Sequence, residues 1–481
     1  MVCSPVVAAA RILIVLSIIL IAVVDCTAAI PSAASNRAAA EQRHADANRA
    51  AAEQRRAGAE EDRGTAHGRA LPTVIVFRAN NTLKTCYRNP VLLRAPNGDL
   101  LCFVEERYRG AAWTPSNTSG DHSCPDNYLG EKGGHNLGFA RSADNGATWS
   151  PITRLAGDLD NLRNGPTDYT NNAAVVATTT LPGGGGTRRR IVWQFGTQNN
   201  PSRAQHGRLL QRHSDDSGKT WSWPPRDVSA AAAAVGLPGA TPGPGQGVQL
   251  TGPSGRLVFC AWGNTATTPF GSKGWNRAAN FANTLLYSDD AGETWRATAP
   301  VGGRGWNECF LAQLNATTLL EVSRRTNPDA SVAPSRAYPA HTYGNMLWDA
   351  GGAPDGPPRN LTAVATLGAP GAIKTPVCEA ALLAWGGALF LSHPQSDTAR
   401  TNLTIQRSVD GGDTWPRSVL VSGADSGAGY SSLVAGVGDD GRSLGIAFNQ
   451  WPTQHPKDSD DGPGTYIRFA TVPLSAFDSP D

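Results

Sequence analysis

From about residue 71 onward, short apolar, β-branched and aromatic runs alternate with clusters of glycine, proline, asparagine and aspartate. TVIVF, LLCFVEE, RRRIVWQF, GRLVFCAW, NTLLYS and TYIRFATV each have the length and composition of a strand. The pattern predicts many short antiparallel strands and almost no long helix.

The first 70 residues have a different texture. Arg11 precedes the apolar run ILIVLSIILIAVV, Ile12 to Val24, and small residues follow it. A run of thirteen residues, apolar except for Ser17, is too short to span a bilayer comfortably, so residues 1–29 are expected to be a secretory signal peptide, with a signal anchor as the alternative. Residues 30–70 carry NRAAAEQR twice, from Asn36 and from Asn48. Their Ala, Glu and Arg content favours helix, yet no apolar stripe is present to bury, so a solvated spacer is expected.

One polar pattern recurs within the strand-rich body. SADNGATW from Ser142, SDDSGKTW from Ser214, SDDAGETW from Ser288 and SVDGGDTW from Ser408 share SxDxGxTW. The glycine can take the positive φ of a tight turn, the shared aspartate (Asp144, Asp216, Asp290 or Asp410) can accept bonds from the turn's own amides, and the tryptophan can wedge its apolar body beneath. Four copies argue for a structural fastener, since one reaction centre has no use for four. The first three start 72 and 74 residues apart, and the last 120 further on. That spacing fits one four-stranded blade per unit, with a blade lacking the motif near RAYPAHTYGNMLWDAGG. The expected architecture is all-β: a six-bladed β-propeller with these hairpins over residues 71–481, closed in part by TYIRFATVPL.

Composition narrows the function classes. Lys+Arg of 42 against Asp+Glu of 40 leaves a formal charge of +2, which implies no nucleic-acid partner. Beyond the leader, Cys86, Cys102, Cys124, Cys260, Cys309 and Cys378 form an even set, compatible with disulfides of undetermined pairing. Sequons at Asn80, Asn117, Asn315, Asn360 and Asn402 fit an exported chain. A secreted, lysosomal or membrane-anchored extracytoplasmic location is expected, the apolar N-terminal run being the tether in the last case.

The SxDxGxTW repeats resemble the Asp boxes of sialidases (neuraminidases), and further segments extend the resemblance from about Thr73 to Phe469. CYRNP resembles the family's (F/Y)RIP, with Asn89 in place of isoleucine; NECFLAQLNATTLLEVSRR resembles its NEC block; GAGYSSL resembles its nucleophile segment. GPGQGVQL from Gly243 resembles a sialidase loop that leads into the strand ending in GRLVFCAW, and PVCEAALL with Glu379 resembles a segment that lines the pocket. A sialic acid carries an ionised carboxylate on its anomeric carbon, which calls for arginine forks. The resemblance assigns that clamp to Arg88, Arg324 and Arg400, with Arg107 adding positive charge nearby. Because the carboxylate repels an anionic nucleophile, a neutral tyrosine suits the attack, and sialidases are the tyrosine exception among glycosidases. The resemblance assigns that role to Tyr430, with Glu308 as its base partner. Glu308 precedes Arg324 by 16 residues, enough for a strand, a turn and a returning strand that bring both to one end of a hairpin. For the acid/base carboxylate, Asp126 matches the family's Cys-x-Asp context, while Asp121 and Glu131 on the same long loop remain open.

These matches imply an exo-sialidase that releases terminal sialic acids from glycoproteins, gangliosides and oligosaccharides with retention, using no metal or organic cofactor. An inactive glycan-binding propeller and a trans-sialidase are the alternatives.

Overall fold

The computed structural model describes residues 71–478, except for 81–82, 84, 109–133, 156–168, 181–185, 198–206, 252–254, 266–280, 302–305, 326–342, 350–356, 362–364, 368–372, 377, 397–398 and 453–464. The leader, the spacer, and Asp121, Cys124, Asp126 and Glu131 lie outside the described residues. Among the described residues no helix is long and apolar enough to cross a membrane, and the α-helix present is the short Ala230–Ala233.

Six antiparallel sheets stand as blades around an axis, in chain order. The innermost strand of blade 1 is Thr85–Arg94, that of blade 2 is Tyr169–Thr180, that of blade 4 is Trp306–Gln313, that of blade 5 is Ala381–Trp385 and that of blade 6 is Ser426–Val437. Blade 3 has a broken inner edge made of Thr241–Pro242 and Val248–Gln249 against Leu257–Asn264. Its loop also sends Gly245–Gln246 to pair in parallel with Ala173–Ala174 of blade 2. The ring closes as expected. Thr73–Arg78 pairs with Tyr466–Pro473, so the first described strand completes the last blade.

Period-two alternation explains how the blades hold each other. Val91 and Leu93 join a core shared with blade 2, whereas Leu92 between them joins a core shared with blade 6. On the next strand Leu101 and Phe103 face blade 2, and Leu100, Cys102 and Val104 face blade 6. Each blade is therefore apolar on both faces, which is why its strands read as continuous hydrophobic runs. Such clusters lie at all six blade junctions. Gln246 fills the axis: its Nε2 donates to the carbonyls of Leu92 and Leu433, both at 2.6 Å, bridging blades 1 and 6 from the opposite side.

The four SxDxGxTW segments link the third and fourth strands of blades 1, 2, 3 and 5, and blade 4 carries GNMLWD as its third strand without the motif. All four turns are wired alike. In the first, Asp144 Oδ1 accepts from Thr148 N at 2.8 Å, Asp144 Oδ2 from Thr148 Oγ1 at 2.6 Å, and Ser142 Oγ from Gly146 N at 2.8 Å. The glycines have φ of 92°, 81°, 85° and 103°. Ser142 pairs with Leu100, which pairs with Arg94. Arg94 lies six residues along the inner strand from Arg88, about 20 Å at ~3.3 Å per residue. The repeats thus fasten the end of the blades remote from Arg88.

Candidate active site

Four inner strands carry a one-residue bulge at the same end of the ring. The register slips between Arg88 and Val91, between Thr170 and Asn172, between Trp306 and Cys309, and between Gly429 and Ser431. A bulge re-aims a side chain that regular alternation would bury between blades. Three bulged residues have positive φ: Asn89 at 53°, Asn171 at 39° and Tyr430 at 40°. Asparagine tolerates that region; a tyrosine there stores strain of about 1–3 kcal/mol and needs its surroundings to hold it.

A tie from the preceding blade braces each bulge. Asn449 Oδ1 of blade 6 accepts from Asn89 N of blade 1 at 3.3 Å. Glu105 Oε1 of blade 1 accepts from Asn171 N of blade 2 at 2.6 Å. Cys260 of blade 3 is disulfide-bonded to Cys309 of blade 4, next to Glu308. Upstream of the inner strand of blade 5, Glu379 Oε2 accepts from Ser431 N of blade 6 at 2.7 Å.

The bulges bring together residues far apart in sequence. Tyr430 Oη donates to Glu308 Oε1 at 2.6 Å, and Arg324 Nη1 reaches Tyr430 Oη at 3.0 Å and Glu308 Oε2 at 2.5 Å. The Arg88 and Arg400 guanidinium carbons lie 5.3 and 5.5 Å from the centre of the Tyr430 ring. Ala428 N donates to the Arg400 carbonyl at 2.8 Å, which fixes the Arg400 turn against the Tyr430 strand. Glu308 and Arg324 occupy paired strands of one hairpin, as their spacing predicts.

Burial sets the electrostatics. It pushes the Tyr430 phenol well above its usual range, and Glu308 pushes it further, although the three arginines pull the other way. Burial opposes the Arg324 charge, but Glu308 and Tyr430 outweigh it and hold the guanidinium above its ordinary value. The arrangement is a neutral phenol hydrogen-bonded to a carboxylate within a ring of cations. It can hold a small carboxylate against the arginines and present the phenol oxygen as a nucleophile with a base in contact.

Arg107 is buried on the second strand of blade 1, its Nε 2.8 Å from Glu105 Oε2. Glu105 is completely buried, and although burial alone would raise its carboxyl pKa, Arg107, His135 and the amide bonds lower it. Glu105 also accepts from Asn89 Nδ2 at 2.8 Å. The asparagine that departs from the sialidase pattern therefore both adopts the bulge and binds the acid that braces the next blade. Sequence reading passed over Asn171, Glu105 and Asn449. The available signal was the paired asparagines in YTNNAAVV, polar residues able to take positive φ at the head of an otherwise apolar strand.

Among the described residues, the potential metal-ligand groups that cluster are Cys260, Cys309 and Glu321, and the two sulfurs are joined in the disulfide. Cys102 and Cys378 are buried and not in disulfides, and Cys86 is disulfide-bonded.

Comparison with known proteins agrees with the propeller fold. Residues 186–441 match the family described as BNR repeat-like domain. A sialidase from Paraclostridium sordellii is 27% identical over 234 residues, covering 46% of this chain and 49% of that protein, so the match spans about half of each. Among solved structures, a Hadza microbial sialidase superposes with a TM-score of 0.57 at 21% identity over 84% of this chain and 69% of that one. The intramolecular trans-sialidase from Ruminococcus gnavus gives a TM-score of 0.59 at 15% identity over 84% of this chain and 98% of that one. These two share the fold. With over half of its 481 residues matched, the chain belongs to the BNR repeat-like family, as a propeller of the sialidase type.

Proposed function

We propose that this protein is an exo-sialidase that cleaves terminal sialic acids from glycoproteins, gangliosides and oligosaccharides with retention of configuration. The observation that carries the reading is the contact of Tyr430 Oη with Glu308 Oε1 at 2.6 Å inside the triangle of Arg88, Arg324 and Arg400. The arginines bind the sugar carboxylate. Glu308 takes the phenol proton as the Tyr430 oxygen bonds to the anomeric carbon and the glycosidic C–O bond breaks. A carboxylic acid, assigned to Asp126, gives its proton to the leaving oxygen, then removes one from the water that hydrolyses the glycosyl enzyme while Glu308 returns the proton to Tyr430. Staying neutral until attack spares the phenol repulsion from the substrate carboxylate. The preceding apolar run delivers the enzyme to an extracytoplasmic compartment, by secretion or as a tether.

Release of fluorophore from a 4-methylumbelliferyl sialoside tests the reading. Turnover by the wild-type chain that is lost in Tyr430→Phe supports it; sialoside binding without turnover makes the protein a glycan-binding propeller. Repeating the assay with lactose separates hydrolysis from transfer.

A further inference from the structure

The nucleophile assigned above occupies a backbone conformation that tyrosine does not favour, and two consecutive residues of the neighbouring blade grip it from both sides. Tyr430 is the extra residue of the bulge between Gly429 and Ser431, at φ 40°. On one side, a Cβ placed on Gly429 would lie 2.9 Å from the Cys378 sulfur, so the Cys378 side chain packs directly against the Gly429 backbone. On the other side, the Ser431 N–H points to Glu379 Oε2 at 2.7 Å. The gripping residues are themselves held. Tyr343 Oη of blade 4 donates to the carbonyls of Cys378 at 3.1 Å and Glu379 at 3.5 Å, and receives a bond from Thr375 Oγ1 at 3.2 Å. The Ser431 and Ser392 hydroxyls bond at 2.9 Å, a second link between the same blades.

Resting on the function proposed above, we infer that Glu379 is a positioning residue for Tyr430: its side-chain oxygen fixes the Ser431 amide and thereby the bulge that aims the phenol at Glu308. The groups facing Glu379 are Glu308, Arg324 and Arg400 from the site and Tyr343 from its own support. Burial, followed by the nearby Glu308, raises the Glu379 carboxyl well above the usual carboxylate range, which favours its neutral form. Neutrality suits the role. A neutral carboxyl accepts the amide bond without drawing Arg324 and Arg400 away from a substrate carboxylate. An amide side chain can do the same work, whereas an apolar one cannot.

The test compares Glu379→Gln, Glu379→Leu and Glu379→Asp in the full chain. The readouts are kcat and KM on the 4-methylumbelliferyl sialoside and the rate of covalent labelling by 2,3-difluorosialic acid, with the labelled residue identified by mass spectrometry. E379Q is expected to stay within about 3-fold of wild type. E379L, which keeps the volume without an acceptor, and E379D, which withdraws the acceptor by one methylene, lose about 10- to 100-fold in kcat and labelling rate, as a nucleophile misplaced by about 1 Å does. KM changes by less than about 3-fold, since the arginines remain in place. Wild-type kcat in E379L or E379D, a loss confined to KM, or E379Q impaired as much as E379L each overturns the inference. If E379L does not fold, E379Q and E379D still decide it. Labelling of the wild type at a residue other than Tyr430, or no turnover at all, refutes the proposed function and this inference with it. Labelling at Tyr430 that is unaffected in E379D refutes the inference alone.

Discussion

Tyr430 and Glu308 are 122 residues apart in sequence and share a 2.6 Å hydrogen bond, each standing in a β-bulge at the same end of the ring. Replacing either partner removes this bond and leaves the other held by Arg324 alone. Tyr430→Phe and Glu308→Gln are each expected to lower kcat on an aryl sialoside by about 10³-fold or more, within the range for losing a nucleophile or its base. Steady-state assays of the two variants and of the double variant check this. The double variant should be no worse than either single one, because the residues act as a unit.

The arginines differ in what else they do. Arg400 contacts the Tyr430 ring, whereas Arg324 also bonds Tyr430 Oη and Glu308. Arg400→Ala should therefore act mainly on substrate affinity, raising KM by about 10- to 100-fold, as expected for loss of a charge-assisted bond worth ~1.5–3 kcal/mol. Arg324→Ala should lower kcat as well. Equal kcat in the two variants would separate Arg324 from the chemistry.

Protonation of the leaving oxygen, assigned to Asp126, matters in proportion to how poor the leaving group is. Asp126→Ala is expected to reduce cleavage of sialyllactose by about 10²- to 10⁴-fold, and of the 4-methylumbelliferyl sialoside much less. If Asp121→Ala or Glu131→Ala shows that split while Asp126→Ala does not, the acid has been misassigned.

Glu379 makes stability depend on pH. Its folded carboxyl stays protonated above the pH at which the unfolded chain loses that proton, because burial and Glu308 raise it. The folded state then binds more protons than the unfolded one, so this contribution is present at low pH. It is lost as pH rises from about 4.3 toward the folded value. Glutamine has no such proton to lose. Urea midpoints of E379Q and wild type should accordingly diverge in favour of E379Q between pH 4.5 and pH 7.5; a constant difference would mean that Glu379 ionises normally.

The turn glycines offer a change of stability without a change of chemistry. A Cβ on Gly146 would come within 2.1 Å of the Phe469 ring, at a φ of 92°. Gly146→Ala is expected to cost about 2–4 kcal/mol, combining positive-φ strain with overpacking. Chemical denaturation measures the loss. kcat of the folded enzyme should be unchanged, since the turn lies about 20 Å along the blade from Arg88.

Much of the blade architecture was legible in the residues. Four SxDxGxTW turns mark the spacing, and TYIRFATVPL closes the ring as its position implies. Gly146, Asp144 and Trp149 carry the turn roles their chemistry suggests: positive φ, amide acceptor and apolar wedge, with Trp149 Nε1 donating to the Gly146 carbonyl at 3.1 Å. Ser142 and Thr148 act as further hydrogen-bonding groups only in the folded turn. Arg88, Glu308, Arg324, Arg400 and Tyr430 were recognised from local motifs, and the ring brings all five together. Asn171, Glu105 and Asn449 were not, because each acts on a partner in another blade.

The sequence by itself determined the strands, the turns and the number of blades, because alternation, glycine φ and hydrogen bonds within a turn involve neighbours along the chain. Only the tertiary structure decided that four inner strands slip by one residue at the same end of the ring, and that Asn449, Glu105, Cys260 and Glu379 each brace the following blade. A bulge is a mismatch between two strands, and its brace comes from a third element, so neither is encoded in any single segment. That is why the chain names its tyrosine in GAGYSSL yet leaves the reason it points at Glu308 to Cys378 and Glu379, which press on either side of it from the preceding blade.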